Sequence, residues 1–97
     1  MPRNNQHIEL SEALKMFIEE HKLQKGIDRI RVREAWKNVM GQGVNSYTTA
    51  IGLQNDVLMV SLSSSVLREE LSYGKEKIIS MINEALGKEL VRELYLK

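Results

Sequence analysis

The sequence predicts an α+β domain in which a small three-stranded sheet packs on helices. Three observations carry that expectation. Apolar residues repeat at helical spacing before Gly41 and again after Ser65, strand-like segments occupy 47–62, and the tail Leu90–Leu96 is short and β-compatible. At 97 residues the chain is one domain by length, able to bury about 60–70% of its extended surface.

Residues 1–7 are expected to be a flexible terminus, with a single domain over 8–97. Leu10, Leu14, Phe17 and Ile18 fall on one helical face, so an amphipathic helix is expected from Ile8 to Leu23. Lys25-Gly26-Ile27 then interrupts the pattern, and Asp28 serves as N-cap of a second helix whose inward stripe is Val32, Trp36 and Val39. Gly41 supplies the left-handed residue that closes it. The expectation is therefore two N-terminal helices, antiparallel to one another.

A β-hairpin follows. Asn55-Asp56 is a two-residue turn of types that tolerate positive φ. If Gln54 faces Val57, then Leu53 pairs with Leu58, Ile51 with Val60 and Thr49 with Leu62, which puts the large aliphatics on one face. Ser63-Ser64-Ser65 offers N-caps for the next helical segment, which carries Leu67, Leu71, Gly74, Ile78, Ile82 and Leu86. One long helix fits that spacing, and so does a pair divided at Tyr73-Gly74, where glycine on the stripe points to a close backbone neighbour. Gly87 closes the segment, and the tail adds a strand to the hairpin edge.

Chemistry is sparse. The absence of cysteine removes disulfides, thiolate metal sites and thiol nucleophiles. His7 and His21 have no carboxylate at ligand spacing, so no metal site is expected. Asp28 and Asp56 are accounted for by capping and turning, and Glu69-Glu70 diverge by about 100° around a helix. The serine triplet lacks elbow glycines and a histidine partner, and Gly41-Gln42-Gly43 lacks the context of a phosphate loop. The chain reads as a non-enzyme without cofactor or small-molecule substrate. No apolar run reaches the ~18 residues of a membrane span and the polar start is not a signal peptide, so the expected setting is the cytoplasm.

Charge is the most informative feature left. The net charge is only +1, yet Lys22, Lys25, Arg29, Arg31, Arg33 and Lys37 stand against Asp28 and Glu34 alone, a local excess of +4, while Glu9, Glu12, Glu19 and Glu20 precede them. These six basic residues are the candidate nucleic-acid contacts, expected to give weak, sequence-independent DNA binding through phosphates. Trp36, the sole tryptophan, is read as core on its helical stripe.

The run Arg33-Glu34-Ala35-Trp36-Lys37-Asn38-Val39-Met40-Gly41, then the hairpin with Leu58-Met59-Val60, Ser63-Ser64-Ser65, Leu67 to Leu71, Ile82-Asn83 and Gly87, together resemble the DciA-like family from about Leu10 to Leu96. Trp36 and Gly41 stand at its marker positions. The resemblance implies a K-homology-like fold and a bacterial replication role, in which a non-catalytic module contacts the replicative helicase and DNA and can associate with the nucleoid. The chain departs from K-homology domains at Ser72-Tyr73-Gly74-Lys75, which is not a glycine-x-x-glycine loop. A stand-alone binder of single-stranded RNA or DNA, or an adaptor for protein alone, are the alternatives.

Overall fold

A computed structural model describes the backbone of residues 2–97 and the side chains of residues 11–97. The elements run α1 (Pro2–Ser46), β1 (Thr48–Gln54), β2 (Val57–Leu62), α2 (Ser65–Ser72), α3 (Lys75–Leu86) and β3 (Glu93–Leu96). The sheet order is β1-β2-β3, antiparallel between the first two and parallel between the last two. One sheet face packs on α1 and α3, which is the α+β architecture expected.

The two N-terminal helices are in fact one. The helix passes through Lys25-Gly26-Ile27 without a break, and its only non-helical residue is Gly41. A helical glycine costs about 1 kcal/mol relative to alanine, which the flanking helix formers outweigh. Asp28 is accordingly no N-cap; it lies mid-helix and binds side chains. The span expected to be a flexible terminus falls inside the helix bounds from Pro2 onward, while Met1 and the side chains of 1–10, His7 among them, lie outside the described residues. Gly41 takes φ 84° and ψ 172°, a region open essentially to glycine alone, and turns residues 42–46 toward β1.

The hairpin register is as read from the sequence at Gln54–Val57, Leu53–Leu58 and Ile51–Val60, with Asn55 at φ 57° in the turn. It departs at the far end. Thr48, not Thr49, pairs with Leu62, because the register shifts between Thr48 and Ala50. This bulge turns Thr48 toward the core, where its hydroxyl has two partners to serve.

The second helical segment is two helices. Ser64 caps α2 by accepting from the Leu67 amide at 3.2 Å, and Gly87 closes α3 with φ 76°. Gly74 marks the joint between them, but no backbone approaches it; nothing lies within 4 Å of where its Cβ would stand. The core is Val32, Ala35 and Trp36 from α1, Leu58, Val60 and Leu62 from β2, Ile78, Ile82 and Leu86 from α3, with Val91 and Leu94. Asn83 fastens the segment leading to β3: its carbonyl accepts from the Leu90 and Val91 amides and its amide donates to the Val91 carbonyl at 2.8 Å.

The core stops at Asp28, and the helix does not. Every described α1 residue from 11 to 27 is exposed, so the N-terminal half of α1 projects as an arm, and the molecule measures 67 × 22 × 18 Å.

Candidate nucleic-acid interface

The buried stripe of α1 decides what its other faces meet. Val32 and Trp36 are fully buried, and the Trp36 indole N–H donates to Thr48 Oγ1 at 3.0 Å while the Thr48 hydroxyl donates to the Val44 carbonyl. These bonds pin the start of β1 beside α1. With that face fixed, the helical repeat sends one flank toward α3 and the other out beneath the free edge of β1.

The outward flank carries the basic row. Lys25 and Arg29 line a cleft of about 360 Å³ with Leu53, Gln54 and Asn55. Arg29 and Arg33 line the next, about 300 Å³, against Ile51, Gly52 and Leu53. Arg33 and Lys37 line a third, about 590 Å³, against Asn45 and Thr48–Ile51. Arg29 is shared by the first two and Arg33 by the last two, so the three form one groove. One wall is cationic and the other is an edge strand with apolar Ala50, Ile51 and Leu53.

Four of the six basic residues singled out in the sequence therefore meet. Lys22 is exposed on the arm and lines none of these clefts. Arg31 turns to the opposite flank, where its guanidinium donates to the Leu86 carbonyl at 3.0 Å and caps the end of α3. That role could not be read from a helix considered alone.

Two carboxylates approach the groove, with different effects. Glu34 lies at its wide end beside Arg33 and Lys37. Asp28 is buried, accepting from Lys88 Nζ at 2.9 Å and from the Gln24 amide at 3.0 Å. Burial pushes its carboxyl up, but the hydrogen bonds from Lys88 and Gln24 and the charges of Lys88 and Arg31 outweigh that and hold it below the usual carboxylate value. Asp28 is thus charged and matched within the fold, leaving the groove positive. Lys88, 60 residues away, gave no sequence signal of this pairing, and neither did the contribution of the β1 edge.

Among the described residues no group of His, Cys, Asp and Glu is placed to hold a metal ion, and His21 stacks on Phe17 with ring centroids 6.3 Å apart. No helix among them is long and apolar enough to cross a membrane.

The family model described as Dna[CI] antecedent, DciA, matches residues 9–96. The chain belongs to the DciA family. That places it with a family tied to loading of the replicative helicase, and the match spans α1 to β3. No curated protein and no solved structure matches the chain, so the K-homology likeness has no structural counterpart to stand on. In this DciA-family chain Ser72-Tyr73-Gly74-Lys75 does join two helices, as a backbone-gripping loop would, but with one glycine.

Proposed function

We propose that this DciA-family chain is a non-catalytic accessory of helicase loading that holds DNA in the α1–β1 groove and offers its arm to the helicase. The observation that carries this reading is the convergence of Lys25, Arg29, Arg33 and Lys37 on one groove along an edge strand. The cationic wall takes phosphates, and the apolar strand wall takes the faces of unpaired bases, an arrangement suited to a single strand. Recognition by phosphate charge and apolar contact makes the binding weak and sequence-independent. On the arm, Leu14, Phe17 and Ile18 continue the same helical face that buries Trp36 and are half to two-thirds exposed. This uncovered stripe is the surface for the helicase.

Fluorescence anisotropy with single- and double-stranded oligonucleotides at two salt concentrations tests the DNA half. Four phosphate contacts give a log–log salt slope of about 3, and affinity fades near physiological salt. Reversing Arg29, Arg33 and Lys37 together removes binding to all sequences alike with an unchanged melting temperature. Identical binding by that variant, or none by the wild type at low salt, leaves a protein-only adaptor. Co-sedimentation with the replicative helicase tests the other half, with Leu14→Ser/Phe17→Ser expected to weaken it.

A further inference from the structure

The face of α1 that points away from the sheet is apolar where a solvated face should be polar. Met16, Leu23, Ile27 and Ile30 are 63, 66, 48 and 59% exposed. Their spacing of seven, four and three puts them on one stripe, opposite Val32 and Trp36. It runs from the arm onto the back of the body and is separate from the Leu14, Phe17 and Ile18 stripe. Contiguous exposed apolar surface on a helix marks a contact with another molecule.

Charge says which molecule. Along the edges of this stripe the N-terminal part is net acidic, with Glu12, Glu19 and Glu20 against Lys15, and the C-terminal part is net basic, with Arg31, Arg33 and Lys37 against Glu34. We infer that the stripe pairs with its own copy, antiparallel, with Leu23 of one chain level with Ile27 of the other. In that register Glu12 lies within one residue of the second copy's Lys37, Glu19 within half a turn of its Arg33, and Glu20 next to its Arg31. Glu12, Glu19, Arg33 and Lys37 all lie on one side of the stripe, and the two-fold axis of an antiparallel pair brings that side together with itself. A parallel pair sets acid on acid and base on base. Glu34, the one acid in the basic half, falls beside Met16 of the second copy, and Lys15, the one base in the acidic half, stands two residues from the level of its Arg33, outweighed by Glu12 and Glu19 on the same side. The pairing is a second copy of this chain held by four apolar side chains from each copy and by matched charges, and it is weakened by salt. It draws on Arg33 and Lys37, which also line the groove, so pairing and groove occupancy compete for them.

Sedimentation velocity of the full chain without DNA, from micromolar to hundreds of micromolar, tests this inference separately from the groove. The wild type is expected to shift from monomer to dimer, less so at high salt. Leu23→Glu raises the dimer Kd by at least about tenfold, with circular dichroism confirming that the exposed substitution leaves the fold intact. The decisive pair is Glu12→Lys/Glu19→Lys and Arg33→Glu/Lys37→Glu: each alone is monomeric, and an equimolar mixture dimerises. A wild type that stays monomeric, a dimer indifferent to Leu23→Glu, or a mixture no better than its components overturns the inference. The first of these outcomes leaves the stripe to a different protein.

Discussion

The two halves of α1 carry the same amphipathic signal and meet opposite fates. Val32, Ala35 and Trp36 are buried under the sheet and α3, whereas Leu14, Phe17 and Ile18, on the same helical face, are exposed. Periodicity specifies which residues of a helix can be buried together; it does not supply the layer that buries them. The sheet and α3 cover only the C-terminal half, so the identical pattern becomes core at one end and unpartnered surface at the other.

The largest way to break this contrast is to delete an aromatic side chain from each half. Trp36→Ala should cost about 3–5 kcal/mol, the usual loss for a buried large aromatic. Phe17→Ala should cost less than about 0.5 kcal/mol, as for ordinary surface positions. Chemical denaturation of both variants checks the pair, and comparable losses would mean that the arm is folded against something.

The boundary between the halves is Asp28, and it should respond to pH. Its carboxyl is held below its usual value in the fold, so its contribution is fully present above the unfolded-state pKa and is lost as pH falls through the depressed folded value. Asp28→Asn should cost about 1 kcal/mol at neutral pH, since Lys88 is partly exposed and screened. The variant's melting temperature should converge on that of the wild type in acid, and a constant gap from neutral to strongly acidic pH would remove the ion pair as the cause.

The smallest effect sharpens the picture of the arm itself. Gly26 is helical with nothing within 4 Å of an added Cβ, so Gly26→Ala should stabilise the helix there by about 0.5–1 kcal/mol. Far-ultraviolet circular dichroism on heating should show later loss of arm helicity with little change in the cooperative transition of the body.

The fold is legible in the sequence where the signal is local or repeated over short range. The hairpin register followed from Leu53, Leu58, Ile51 and Val60 because strand alternation allows one choice, and Trp36 could be placed in the core from its stripe. Two features answer to the rest of the fold instead: Gly26 carries a helix-breaking signal whose cost its flanking residues tolerate, and the bulge at Thr48 answers to the Trp36 indole rather than to hairpin pattern. Half of the groove was legible as a basic row at four-residue spacing. The other half, the edge of β1, depends on which strand ends up outermost beside α1, and the diversion of Arg31 to the Leu86 carbonyl depends on packing between elements distant in sequence.

The unbroken passage of α1 through Gly26 also makes the helix a ruler. At ~1.5 Å per residue, Leu14 on the arm and Arg33 in the groove are about 28 Å apart along one axis, with their angular phase fixed. Whatever grips the arm and whatever lies in the groove are held at that distance and orientation, with no joint to absorb a mismatch. Deleting a single residue between Lys22 and Asp28 shortens the separation by only ~1.5 Å but swings the arm by about 100°, so phase, far more than reach, is what this helix sets.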